Sequence, residues 1–150
     1  MKYDRRVQLG YREVLRRIHE DLRPNVYCEI GVHYGHSAIL AEPGTRIIGI
    51  DPNPTIEVDL LPDTSIYELT SDDFFDQHTV AGAAGSPSDM TFIDGRHLFE
   101  FSLRDFRNAE RNSGKNGVIL FHDCAPPLEW SDREVRSGDA WRPAAALSEF

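Results

Sequence analysis

Two stretches put acids and imidazoles directly behind apolar runs. They are Phe92-Ile93-Asp94-Gly95-Arg96-His97 and Leu120-Phe121-His122-Asp123. Carboxylates and imidazoles meeting at one place can hold a divalent cation or exchange a proton with a substrate hydroxyl. A carboxylate-led set made of Asp94, Asp123 and His122 suits Mg²⁺ or Mn²⁺, and adding His97 and Cys124 suits Zn²⁺ or Fe²⁺. The plainer alternative is that Asp94 and Asp123 cap their loops. A third stretch, Glu29-Ile30-Gly31-Val32-His33-Tyr34-Gly35-His36-Ser37, has a Gly-x-x-x-Gly spacing. Glycines there let backbone approach a ligand, and N–H groups at a following helix start can face a negative group. The usual dinucleotide pattern has a further glycine where this chain has His33, which argues against NAD. Asp51 follows Ile47-Ile48-Gly49-Ile50, twenty residues after Gly31. An acid at that place accepts hydrogen bonds from ribose hydroxyls, although an Asp before Pro52 also suits a turn. Ser71 and Asp72 can reach a base edge or cap a short helix.

These residues are useful only if elements bring them together. Val7, Tyr11, Val14, Leu15, Ile18 and Leu22 recur at helical spacing, which predicts an amphipathic helix from Val7 to Leu22 ended by Pro24. Strands are predicted at Val26–Ile30, Arg46–Ile50, Ser65–Leu69, Met90–Ile93 and Gly117–Phe121. Ser37 is expected to cap a short helix through Leu40 or Ala41, and Ser71 to open a helical turn. Residues 52–63 and Ala81–Ser88 read as irregular connections. A helix is expected at Phe99–Asn112 with Gly114 as its C-cap, and a last one near Asp139. Apolar strands alternating with helices indicate a parallel sheet covered on both faces, with ligands bound beyond the strands' C-terminal ends. Every stretch named above falls at that edge.

Composition narrows the alternatives. The chain has 150 residues, 40% of them apolar, and is expected to form a single domain, residues 1–24 giving the N-terminal helix and 25–150 the core. Two cysteines argue against a disulfide scaffold, and Cys28 reads as core. No apolar stretch is long enough to span a membrane and no secretory leader is recognisable, so a cytoplasmic location is expected. The net charge of −9 disfavours a nucleic-acid backbone as partner. Residues 1–23 run the other way, with basic residues in excess. That stretch is either a solvated helix face or a place for an anionic substrate or partner.

The stretches E-I-G-V-H-Y-G-H-S (29–37), I-I-G-I-D-P (47–52), F-I-D-G-R-H (92–97) and G-V-I-L-F-H-D (117–123) together resemble class I S-adenosylmethionine-dependent methyltransferases. More narrowly they resemble methyltransferase family 24, related to sugar and macrolide O-methyltransferases. The resemblance implies a Rossmann-like, doubly wound, mainly parallel sheet in three α/β/α layers. The family's usual C-terminal antiparallel hairpin is expected to be missing, since the chain ends at Phe150. It also implies cofactor contacts at Glu29, Gly31, Gly35, Asp51, Ser71, Asp72 and Asp94. A divalent cation, Mg²⁺ or another, is implied at Asp94, Asp123 and His122, with His97 as general base.

The chemistry expected from that resemblance is metal-assisted O-methylation of a small hydroxylated acceptor, a sugar or other diol. A sulfonium methyl is attacked in line by an oxygen whose proton a nearby base removes. A homo-oligomer stays open. Two other classes remain at this stage. A metal-dependent hydrolase would use Asp94, His97, His122 and Asp123 but leave the glycine turn idle. A non-catalytic nucleoside-binding module would use the turn and Asp51 but leave the second cluster idle.

Overall fold

The computed structural model describes residues 10–123. Its elements are α1 (Tyr11–Leu22), β1 (Val26–Ile30), a 3₁₀ turn at Ala38–Leu40, β2 (Arg46–Ile50), β3 (Thr64–Tyr67), α2 (Ser71–Gln77), α3 (Val80–Ala84), β4 (Ser88–Ile93), α4 (Phe99–Asn112) and β5 (Ser113–Phe121). The five strands form one sheet in the order β3-β2-β1-β4-β5, and every pairing is parallel. The chain reverses its winding between β1 and β4, the place where open α/β sheets form their ligand crevice.

Alternate residues of the same strands build two cores. On one face Leu15 of α1 packs with Tyr27, Ile47, Met90 and Phe92. On the other, Phe74 of α2, Val80 of α3 and Ala109 of α4 pack with Cys28, Ile30, Ile48, Ile50 and Ile93. The result is the expected three-layer, doubly wound arrangement. All five residues of β1 are buried, which is why this strand reads as a continuous apolar run with one acid in it. His19 is also fully buried, edge-on to the Tyr27 ring at 4.5 Å, with neither ring nitrogen hydrogen-bonded. Burial pushes its pKa down to about 4, so it packs as a neutral ring.

Several local expectations need correction. Ala81–Ser88 is not all loop: Thr79 caps α3 by accepting from the Gly82 N–H at 3.0 Å, and β4 already begins at Ser88. Thr70, not Ser71, caps α2, accepting from the Asp73 N–H at 3.1 Å. Ser37 does not cap the 3₁₀ turn with its side chain, because a buried carboxylate claims its hydroxyl. Gly114 is not a C-cap: α4 ends at Asn112, and Ser113 both caps it and starts β5, which bulges before rejoining β4 at Val118. The third strand is Thr64–Tyr67 rather than Ser65–Leu69. The expected start of the first helix at Val7, Cys124 and the helix near Asp139 lie outside the described residues. Among the described residues no helix is long and apolar enough to cross a membrane.

Candidate active site

The residue just past each of β1, β2, β4 and β5 is pinned by a neighbouring strand. The N–H of Gly31 donates to the Ile50 carbonyl (2.8 Å) and that of Asp51 to the Tyr67 carbonyl (3.1 Å). The N–H of Asp94 donates to the Ile30 carbonyl (2.8 Å) and that of His122 to the Ile93 carbonyl (3.0 Å). Gly31, Asp51, Asp94 and His122 thus extend the sheet's ladder by one rung and share its rigidity.

The glycine turn closes tightly against this edge. Gly31 has φ +91°, and a Cβ there would lie 2.6 Å from the Asp94 carbonyl carbon, a backbone atom that cannot move aside. His33, a non-glycine residue at φ 47°, turns its N–H onto Asp51 Oδ2 at 2.8 Å. Asp51 Oδ1 accepts from the Asn53 N–H at 2.8 Å. Each carboxylate oxygen keeps a second lone pair for a ligand hydroxyl. The irregular segment after Asp51 is laced to the turn by the Thr55 N–H to the His33 carbonyl (2.9 Å) and the Glu57 N–H to the Tyr34 carbonyl (3.1 Å).

A cleft of about 490 Å³ opens at this edge, within the size range of small-molecule and cofactor sites. Gly31, Asp51, Ser71, Asp72, Asp94 and His97 all line it, as do Arg96, Phe101 and Asp105. Glu29 and Gly35 do not line it. The Glu29 carboxylate is fully buried and accepts from the hydroxyls of Tyr27 (2.9 Å) and Ser37. Burial pushes its pKa up to about 8 against those two hydrogen bonds, so it carries a proton at neutral pH. Burial likewise raises the Tyr27 hydroxyl and pushes the Cys28 thiol up to about 12. Gly35, at φ +80°, lies buried beneath Val58 and Leu60.

The acids and imidazoles assemble at the β4–β5 end. His122 Nδ1 is 2.9 Å from Asp94 Oδ1 and 3.4 Å from Asp123 Oδ2, and His97 Nε2 is 3.8 Å from Asp94 Oδ1. Both carboxylates therefore face one imidazole, with His97 beside them. Burial raises the Asp94 pKa, His122 and His97 oppose that, and Asp123 adds to it. His122 and Asp123 flank Asp94 but stand outside the cleft's lining. Among the described residues no group of three or more His, Cys, Asp and Glu side chains is arranged to hold a metal ion. Asp94, Asp123 and His122 form an imidazole-bridged carboxylate pair instead.

The lining residues Asp105, Phe101 and Arg96 are not among the candidate site residues of the sequence. Asp105 is buried on α4 against Gly95. Burial raises its pKa and a hydrogen bond from Ser71 opposes that, so it ties α2 to the turn after β4. Its signal was an acid four residues after Phe101 and four before Ala109, on the face that should be apolar. The guanidinium groups of Arg104 and Arg96 lie 4.5 and 5.1 Å from the centre of the Phe101 ring. Arg104 also pairs with Asp72 at 2.7 Å.

A glycine cradle, an acid ending β2 and a cleft lined by four Asp carboxylates fit a nucleoside that carries positive charge. The doubly wound parallel sheet is the fold of class I S-adenosylmethionine-dependent methyltransferases. The sequence pattern of one family, described as a methyltransferase domain and numbered 24, matches residues 28–124, and the chain belongs to it. No curated protein matches the chain.

Proposed function

We propose that this protein transfers a methyl group to a hydroxyl oxygen of a small molecule, a sugar or other diol. The observation that carries the reading is the pairing of two groups on one cleft: the glycine cradle with Asp51, and the imidazole of His97 beside Asp94. Asp51 is placed to accept ribose hydroxyls, and Gly31 allows the backbone close approach. Ser71 and Asp72 line the part of the cleft suited to the base. S-adenosylmethionine, when bound, supplies an electrophilic methyl group. His97 takes the proton of the attacking hydroxyl, which makes the oxygen a competent nucleophile. Asp94 faces both His97 and His122, so positive charge gained by an imidazole is met by a carboxylate already in place. Among the described residues Asp94 and Asp123 turn to the His122 imidazole and form no metal ligand set, so the proposed steps use the chain's own side chains. The net charge of −9 supports a small acceptor over a nucleic acid.

The test is chemical. Purified protein is given methyl-labelled S-adenosylmethionine and a panel of sugars and diols, and the product bond is characterised. A label held as an ether, stable to mild base, supports the proposal. A base-labile methyl ester, or label on nitrogen alone, contradicts it.

A further inference from the structure

The arginines of α1 are not alike. Arg16 and Arg17 close on Glu13 at 2.8 and 2.7 Å, and Arg16 also meets Glu20. Arg12 instead donates from Nε to the Tyr11 hydroxyl and from Nη2 to His36 Nδ1, both at 3.2 Å. Among the described residues no carboxylate comes within ion-pair distance of Arg12. Glu57 faces the other nitrogen of His36 at 4.0 Å. Among the described residues the guanidinium has no carboxylate partner and most of its five donors are unused.

This charge stands at the reactive edge. The Tyr11 ring lies 4.2 Å from the His122 ring, and His122 bonds Asp94. The Arg12 guanidinium is 5.7 Å from the same Tyr11 ring. The first turn of α1 thus reaches the strand ends from the face that carries His122 and Asp94. Arg96 lines the cleft and lies over the Phe101 ring; on the α1 side the edge bears Asp94, Asp123 and the His122 imidazole, so Arg12 is the group on that side suited to an oxyanion.

We infer that Arg12 is a specificity-determining residue, and that the acceptor carries a carboxylate or phosphate which Arg12 holds while its hydroxyl faces the imidazoles. This rests on the methyl-transfer reading and names the acceptor class within it. A guanidinium fork matches either oxyanion through paired, charge-assisted hydrogen bonds.

The experiment uses the full chain saturated with S-adenosylhomocysteine, with the melting shift due to that ligand recorded in every sample. Two matched diol sets are titrated by calorimetry: glucose against glucuronate and glucose 6-phosphate, and catechol against 3,4-dihydroxybenzoate. A charged member of at least one set should bind about ten-fold more tightly than its neutral counterpart, the gain of a charge-assisted hydrogen bond. Arg12→Gln should erase that preference, while Arg17→Gln should keep it. The carboxylate and phosphate arms show which oxyanion is taken. If wild type shows no charge preference in either set, or if Arg12→Gln retains it, the inference is overturned while the ligand shift leaves the cofactor reading standing. Absence of any ligand shift in wild type overturns both.

Discussion

The two ends of the reactive edge are held by different forces. At the β1–β2 end, backbone groups set the geometry: Gly31 presses on the Asp94 carbonyl, the His33 N–H donates to the Asp51 carboxylate, and Thr55 and Glu57 lace the following segment to the turn. At the β4–β5 end, side chains hold one another: His122 lies between Asp94 and Asp123, His97 stands next to them, and Tyr11 packs on His122. Geometry made by backbone is lost with the fold. Geometry made by polar side chains can be removed with the fold intact. Substitutions at the first end should therefore act on stability and cofactor binding, and those at the second on turnover.

The largest effect is expected at Gly31. In Gly31→Ala the new Cβ meets backbone, at a φ that alanine rarely adopts. A loss on the order of 3 kcal/mol or more is expected in denaturant unfolding, together with loss of cofactor binding. A variant of wild-type stability would show that the turn is looser than described.

His97→Ala addresses the other end. Turnover should fall by roughly 10²–10⁴, with melting temperature and S-adenosylhomocysteine affinity nearly unchanged. Turnover close to wild type would make His97 a bystander and leave the second end without a base.

Glu29 lies beneath the glycine turn and sharpens the contrast through pH. Its folded pKa of about 8 lies above the ordinary 4.5, so folding takes up a proton. The contribution is fully present below about 4.5 and is lost as pH rises through about 8. Wild-type stability should fall across that window, at up to about 1.4 kcal/mol per pH unit. Glu29→Gln, which cannot ionise, should lose that slope while keeping an acceptor for one of the two hydroxyls and offering an N–H to the oxygen of the other. Equal slopes in the two proteins would mean that Glu29 is ionised in its buried place.

Much of this was legible in the sequence, and the reasons are physical. Apolar strands covered on both faces declare themselves, and so do the polar residues that end them. Hence Gly31, Asp51, Asp94 and His97, which line the cleft, were read at the ends of the strands that carry them. Phe99–Asn112 was read to the residue because its apolar positions recur at helical spacing. Short elements were harder. The α3 helix is five residues in a Gly- and Ala-rich stretch, and its evidence is the Thr79 cap rather than any periodicity. Glu29 resembled a ligand contact in sequence. Only the fold shows that Tyr27 and Ser37 take both its oxygens. Asp105 and Tyr11 depended on contacts between distant segments, which spacing along one chain does not encode.

The central claim is that the glycine turn and Asp51 form a nucleoside site, and calorimetry with S-adenosylhomocysteine tests it most directly. Wild-type protein should bind one molecule per chain. Asp51→Ala should bind at least about ten-fold more weakly, because the ribose hydroxyls lose a charged acceptor, while its unfolding remains cooperative. Absence of binding by wild type, or equal affinity in the folded Asp51→Ala variant, would contradict the account.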